Sequence, residues 1–183
     1  MGDFLKVLRD DHAKTMQKMP QFEAAVAGLS LGNFFGAQLL VNYVSNELVE
    51  RHFKLEEEIL FPLVEPVLKS YLPKEEPIRM LKLEHIAIAR TADEVRAHMM
   101  RAEAKRASES GSLLLSLIKQ HIFREENGLF GIAEKYLGEK EKAEIESKLS
   151  IRSRELQLRP PSLSQRSDIL HLLLRVESGS APL

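Results

Sequence analysis

The feature that most constrains this chain is a charged phrase that occurs twice, 69 residues apart. Residues 52–61 read His-Phe-Lys-Leu-Glu-Glu-Glu-Ile-Leu-Phe, and residues 121–130 read His-Ile-Phe-Arg-Glu-Glu-Asn-Gly-Leu-Phe. A second pair matches in the same way, since residues 5–12 and 78–85 both end in an acidic residue followed by histidine. The chain therefore predicts two similar helical hairpins around an approximate two-fold axis, with paired residues from both halves meeting on that axis.

Hydrophobic residues recur with a helical period over almost the whole chain, and no segment shows the alternation typical of a strand. The four predicted helices cover about residues 5–29, 34–61, 73–106 and 113–136. Pro20 is expected to kink or restart the first helix, and Pro62 and Pro66 are expected to stop the second. A break is expected at residues 108–112. Long helices with short connections predict an all-α fold, an up-down-up-down four-helix bundle over residues 1–138.

Composition changes after the fourth predicted helix. Residues 139–148 are highly charged and predict a short surface helix, whereas residues 151–183 contain no lysine and five arginines. Within that second segment, residues 167–176 have the pattern of a short capped apolar helix. We therefore assign residues 139–183 to a C-terminal appendage, expected to be partly disordered or docked on the bundle or on a protein partner.

Composition also excludes several classes of function. The absence of cysteine excludes disulfides, thiolate metal sites and cysteine nucleophiles. A formal net charge of -1 gives no reason to expect nucleic acid or an anionic membrane as a partner. No apolar run approaches the ~20 residues that a membrane span needs. We expect a cytoplasmic protein that binds neither nucleic acid nor membrane.

Four histidines are expected to face the interior of the bundle, one from each helix. They are His12, His52, His85 and His121, and each follows a leucine by four residues on the apolar stripe of its helix. Glu56 and Glu125 each lie four residues after one of these histidines and therefore share its face. His98 and His171 lie on no such stripe.

Four imidazoles and two carboxylates in an apolar core need an explanation, because a buried charge without a partner is costly. Taken singly, each histidine can be an ordinary core residue, but the set as a whole favours a metal site. Imidazole and carboxylate together suit iron, manganese or zinc. Two carboxylates from neighbouring helices can each bridge two ions, and one bridging hydroxide would leave a small net charge.

Together these phrases resemble the hemerythrin-like family, also called the HHE cation-binding domain, over about residues 5–137. The phrases that carry the resemblance are Asp11-His12, His52-Phe-x-x-Glu-Glu-x-x-Leu-Phe-Pro62, Glu84-His85 and His121-Ile-x-x-Glu-Glu-x-x-Leu-Phe130. The resemblance implies a four-helix bundle that holds two iron ions, a non-haem di-iron centre with a bridging oxo or hydroxo group. It also implies terminal ligands at His12, His52, His85 and His121, and bridging ligands at Glu56 and Glu125.

Members of that family bind oxygen, and some bind nitric oxide or peroxide. This chain lacks the fifth histidine of the oxygen carriers, since Leu81 and Ala89 stand four residues from His85. The carriers have an aspartate five residues after the fourth-helix histidine, where this chain has Glu126, preceded by Glu125. One fewer imidazole leaves a more open coordination position and favours sensing, storage, iron handling or peroxide chemistry over reversible oxygen carriage.

The predicted function is a non-haem di-iron protein that binds oxygen or a related small molecule. The alternative is a di-iron enzyme, an oxidase, peroxidase or nitric oxide reductase, and no residue decides whether substrate turns over. A ferritin-like carboxylate site is disfavoured because the bundle contains no Glu-x-x-His pair. A purely structural bundle leaves the duplicated phrases unexplained.

Several residues beside the phrases receive other roles. Glu57, Glu58 and Glu126 are expected to be solvated, so alanine at positions 57 and 126 should be nearly silent. The alternative is that one of them is an additional or alternative ligand, since a local π-bulge would bring the residue five positions on under its histidine. Asp11 and Glu84 point about 100° away from the histidine that follows each of them. Each can therefore orient a histidine only across a helix interface. The phenylalanines expected to pack in the core are Phe34, Phe35, Phe61 and Phe130.

Overall fold

A computed structural model describes residues 3–71 and 76–158 of the 183-residue chain. Every regular element in these ranges is a helix, which confirms the all-α prediction. The described residues form five continuous helices: α1 (Lys6–Leu29), α2 (residues 35–71), α3 (Pro77–Met100), α4 (residues 104–136) and α5 (Glu139–Gln157). Helices α1 to α4 pack against one another around a shared interior, and their up-down-up-down order stays a prediction.

Helix α1 runs unbroken through Pro20, so the predicted kink or restart is not needed. Proline removes one backbone donor and frees the carbonyl of the residue four positions earlier, here Met16. Both residues lie on the exposed face of α1, where water can bond that carbonyl. Met19 and Phe22 are buried on either side and hold the helix against the core.

Helix α2 continues to residue 71, so the predicted end near Pro62 is wrong. Pro62 and Pro66 both lie toward solvent, where a lost backbone bond costs little, while Val64 and Leu68 stay buried on the inner face. Successive segments of α2 are α-helical at Phe35–Tyr43, π-helical at Val44–His52, α-helical at Phe53–Leu55, π-helical at Glu56–Leu60 and α-helical at Phe61–Tyr71.

The break between the third and fourth helices was predicted at residues 108–112 and lies instead at residues 101–103. There Ala102 takes a positive φ of 55°, and His98 hydrogen-bonds to Glu103 at 2.6 Å. The serines and glycine that suggested a break lie inside α4. A Cβ on Gly111 would come within 3.0 Å of Val26, so this glycine serves the close approach of α1 rather than ending a helix.

The core consists of two apolar clusters, one toward each end of the bundle. In α1 the first cluster begins at Met19, and the second ends at Leu8. In α3 the corresponding limits are Ile88 and Leu81. The histidine of each of these helices therefore lies in a polar layer between two apolar ones.

Helix α5 confirms the predicted surface helix and extends it to residue 157. It packs on α1 and α2 and buries Ile145, Leu149, Ser153 and Leu156. The composition change at residue 151 therefore falls inside a helix. The predicted short helix at 167–176 lies outside the described residues. Among the residues described, no helix combines the length and hydropathy of a membrane span.

Candidate metal centre

The structure brings all six predicted ligands into one buried layer. Their side-chain donors form two groups in which the ligand atoms lie within 4.8 Å of one another. Site 1 consists of His12, His52, Glu56 and Glu125, and site 2 consists of His85, His121 and the same two glutamates. Because both glutamates belong to both sites, the geometry is that of two adjacent cation positions with shared carboxylates.

The local backbone at the two inner glutamates is the same in both copies of the repeat. A π-helical segment begins at Glu56 and ends at Leu60, and its counterpart runs over Glu125–Leu129. A π turn closes through i→i+5 hydrogen bonds and is wider than an α turn, so consecutive side chains are separated by a smaller angle. Two consecutive glutamates can therefore both reach histidines of the layer, the first toward Nε2 and the second toward Nδ1.

The inner donor atoms lie at distances expected for groups that share an ion. Glu56 faces His52 Nε2 through Oε1 at 3.3 Å and His85 Nε2 through Oε2 at 3.2 Å. Glu125 Oε2 lies 3.2 Å from His12 Nε2 and 3.3 Å from His121 Nε2. Donors bound at ~2.1 Å and at right angles to one another around an ion lie ~3 Å apart. The observed spacings agree with that value.

Hydrogen bonding leaves most of these inner atoms without partners, and only the Nε2 atoms of His12 and His52 bond to each other, at 2.9 Å. Seven buried side-chain nitrogen or oxygen atoms of the described residues lack a hydrogen-bond partner, and six of them belong to the two sites. The six are both carboxylate oxygens of Glu56 and of Glu125 and the Nε2 atoms of His85 and His121. Burying such atoms unpaired is costly. A pair of cations would satisfy all six, so the residues fit a metal centre.

Each of the four histidines also has a carboxylate at its outer nitrogen. The Nδ1 distances are 2.7 Å from His12 to Glu126, 3.4 Å from His52 to Asp11, 2.7 Å from His85 to Glu57 and 3.1 Å from His121 to Glu84. Donation from Nδ1–H fixes the tautomer that leaves the Nε2 lone pair free for an ion. Glu57 and Glu126 are therefore not simply solvated, and that expectation was wrong.

These outer carboxylates follow the repeat. Glu57 and Glu126 are the second glutamates of the two phrases, and Asp11 and Glu84 are the acids that precede a histidine. Each outer carboxylate contacts a histidine of a different helix. Asp11 and Glu84 therefore act across a helix interface, the only way the sequence left open for them to orient a histidine. The sequence contains all four outer carboxylates in matching places. An α-helix at 100° per residue would turn Glu57 and Glu126 away from the layer, and their contacts with histidine depend on the π-helical turn there.

Arginines bind three of the outer carboxylates, and sequence reasoning gave no sign of them. Arg51 pairs with Asp11, and both side chains are nearly buried. Arg124 pairs with Glu84 from a more exposed position. Arg9 Nε lies 3.5 Å from Glu126. These cations hold the carboxylates in place and offset their charge.

Aromatic rings enclose the histidines. Phe53 stacks on His85 with ring centroids 3.8 Å apart, and Phe130 stacks on His12 at 5.4 Å. Phe61 and Phe130 are buried as expected, whereas Phe35 is 63% exposed and is not part of the core. The rings make the surroundings of the donors apolar.

Burial and neighbouring charges shift the pKa values of the ionisable groups of the layer in opposite directions. Burial lowers the pKa of His121 to about 4, although Glu125 and Glu56 oppose this. Burial also acts to lower the pKa of His52, but Glu56 and Asp11 outweigh it and raise that pKa to about 10. Burial, and next the charge of Glu56, raise the pKa of Glu125. Two carboxylates this close resist being ionised together unless cations are present.

The chain is similar to one known protein family over most of its length. The family model described as "Hemerythrin HHE cation binding domain" matches residues 3–133. No curated protein and no solved structure matches the chain. The matched range includes all six inner donors, and helix α5 lies beyond it.

Proposed function

Because the chain belongs to the hemerythrin HHE cation-binding domain family, we propose that it is a non-haem di-iron protein that binds oxygen or a related small molecule, such as nitric oxide or peroxide. Its role would be sensing, storage or iron handling, carried by an up-down-up-down four-helix bundle. The observation that carries this proposal is the set of six unpartnered buried atoms on four residues of one layer.

The proposed ligands are the residues of sites 1 and 2. His12 and His52 would hold one iron, His85 and His121 would hold the other, and Glu56 and Glu125 would bridge the two. The two different oxygens that Glu56 turns toward His52 and His85 support the bridging role. When bound, iron supplies redox and Lewis-acid chemistry that no side chain of this layer has.

The donor count leaves room for a further ligand. Each site offers two imidazoles and a share of two carboxylates, which is fewer than the six donors of an octahedral ion. Phe53 and Phe130 stack on the proposed ligand histidines and make the surroundings of the donors apolar. A small uncharged molecule such as oxygen or nitric oxide suits such surroundings better than a bulky or charged one.

The test is metal analysis combined with an optical spectrum. The chain, loaded anaerobically with ferrous iron, should hold two irons and should change its near-ultraviolet and visible absorption reversibly or irreversibly when oxygen or nitric oxide is added. His12→Ala and His85→Ala should each lower the iron content. His98→Ala is the matched control, because His98 pairs with Glu103 away from the layer and should retain both irons.

The outcomes separate the candidates. One zinc per chain with no iron-dependent absorption would contradict the di-iron proposal. Consumption of many equivalents of oxygen, peroxide or nitric oxide per chain would instead assign the alternative, a di-iron oxidase, peroxidase or nitric oxide reductase.

A further inference from the structure

We infer that the two metal positions are unequal and that site 2, between His85 and His121, holds its cation more tightly than site 1. The cause is the outer carboxylate of Glu57, whose charge no arginine or lysine offsets among the described residues. This inference rests on the proposed di-iron function and adds to it an order of binding.

The repeat gives each site the same number of outer carboxylates. Site 1 has Asp11 behind His52 and Glu126 behind His12. Site 2 has Glu84 behind His121 and Glu57 behind His85. The two sites have the same types of inner donor and the same number of outer carboxylates, although the Nε2 atoms of His12 and His52 in site 1 lie 2.9 Å apart, within hydrogen-bond distance. The arginines that contact the outer carboxylates differ between the sites.

At site 1 both outer carboxylates contact an arginine. Asp11 pairs with Arg51, and their side chains are only 11% and 10% exposed, so water screens this pair weakly. Glu126 lies 3.5 Å from Arg9. Arg9 also binds Asp3 and Glu134, but these carboxylates contact no histidine of the layer and are 35% and 45% exposed. Each outer carboxylate of site 1 is therefore in contact with an arginine, and that arginine also pairs with another carboxylate.

At site 2 only one outer carboxylate contacts an arginine. Glu84 pairs with Arg124, which is 53% exposed and therefore strongly screened. Glu57 donates nothing and accepts from His85 Nδ1–H at 2.7 Å. No ion pair with lysine or arginine involves Glu57 over residues 3–71 and 76–158. Its side chain is 42% exposed, so water screens part of this outer charge, which no cationic side chain contacts.

An unshared carboxylate strengthens the histidine as a ligand. It pulls the Nδ1 proton and raises the electron density at Nε2, and an arginine on the same carboxylate weakens that pull. The carboxylate charge also attracts a divalent ion directly. Outer partners of metal ligands change metal affinity by about 10- to 100-fold. We therefore expect site 2 to bind its first iron about tenfold more tightly than site 1, on the same scale.

Partial loading of crystals distinguishes the two positions. The full chain is given one equivalent of ferrous iron without oxygen, and anomalous scattering at the iron edge measures occupancy at each site. Site 2 should be about tenfold more occupied in the unaltered chain, in line with typical outer-partner effects. Calorimetric titration in solution should show two separate binding steps.

Two matched variants identify the cause. Glu57→Gln keeps an oxygen that accepts from His85 Nδ1–H but removes the charge, so it should equalise the two occupancies. Glu126→Gln makes the same change at the repeat-related position and should increase the preference for site 2. Arg9→Gln, on a partly exposed side chain, should raise the occupancy of site 1.

Each possible occupancy result either supports or overturns the inference that site 2 binds more tightly. Equal occupancy in the unaltered chain, preference for site 1, or a Glu57→Gln variant that keeps the preference for site 2 would overturn the inference while leaving the di-iron proposal intact. A chain that binds no iron would remove the proposed function and this inference with it.

Discussion

At the scale of single residues, the two consecutive glutamates of each phrase contact different nitrogen atoms of the histidines. Glu56 and Glu125 are fully buried and face histidine Nε2 atoms, whereas Glu57 and Glu126 are partly exposed and accept from histidine Nδ1–H. Each phrase thus contributes one inner and one outer carboxylate. The second glutamate of each pair contacts Nδ1 of a histidine that belongs to another helix.

Loss of an inner glutamate should disrupt the metal pair. Glu56→Ala and Glu125→Ala each remove donors shared by both sites and leave excess positive charge in a buried layer. Iron content by mass spectrometry should fall from two per chain to one or none in both variants. Two irons retained in either variant would show that this glutamate does not bridge.

Loss of an outer glutamate should weaken binding without abolishing it. Glu57→Ala and Glu126→Ala remove the acceptor behind His85 and His12, so iron affinity should fall about 10- to 100-fold while saturating iron still fills both sites. Competition with a chelator measures the affinity. Glu58→Ala is the control, since Glu58 pairs with Arg152 on the surface and contacts no histidine of the layer. Equal affinities in all three variants would contradict the outer role.

The stability of the ion-free chain should peak near pH 6.5, the ordinary pKa of histidine. His52 keeps its proton up to about pH 10 in the fold, so its stabilisation is present below pH 6.5 and is lost as pH rises toward 10. His121, with a pKa of about 4, binds its proton more readily when unfolded, so stability also falls as pH drops from 6.5 toward 4. Urea unfolding of chelator-treated protein across this range measures both slopes, and stability rising steadily above pH 6.5 would contradict the assignment to His52.

At the scale of the helices, α5 lies beyond the range that the family model matches. It nevertheless buries apolar residues against the bundle. It covers α1 and α2, the helices that carry both histidines of site 1. Arg152 of α5 pairs with Glu58, directly after the outer glutamate Glu57. The appendage therefore begins as part of the folded body.

Two truncations should differ sharply in stability. A chain that ends at Leu158 keeps all of α5 and serves as the reference. A chain that ends at Ser150 loses Ser153 and Leu156, both buried, and should lose about 1.5–3 kcal/mol, the scale for one buried leucine. Urea unfolding with the metal bound compares them. Equal midpoints would show that the last turns of α5 add nothing to the fold.

At the scale of the whole molecule, the polar layer separates two apolar clusters, so a bound metal would join the two ends of the core. Removing metal should lower the melting temperature, because four imidazoles and two carboxylates would remain desolvated. A ligand present at 100 times its dissociation constant contributes about 2.7 kcal/mol. Differential scanning calorimetry of loaded and chelated protein measures this, and identical melting temperatures would place the metal elsewhere.

The sequence determined the helical fold and the inner donors' convergence through local rules. The 3.6-residue period places each histidine on an apolar stripe, and the duplicated phrase pairs one half of the bundle with the other. Spacing of four residues set Glu56 and Glu125 on the faces of His52 and His121. These properties depend on one helix at a time, so the chain alone carries them.

Tertiary structure decided what depends on contacts between helices. The π turns that begin at Glu56 and Glu125 arise within the packed layer, and only there do Glu57 and Glu126 reach a histidine of another helix. Arg51 at Asp11, the continuation of α2 past Pro62 and the burial of Gly111 inside α4 likewise follow from packing. Local propensity could not reveal them, because a proline or glycine that ends an isolated helix is tolerated where the exposed face can be hydrated or a neighbouring helix must come close.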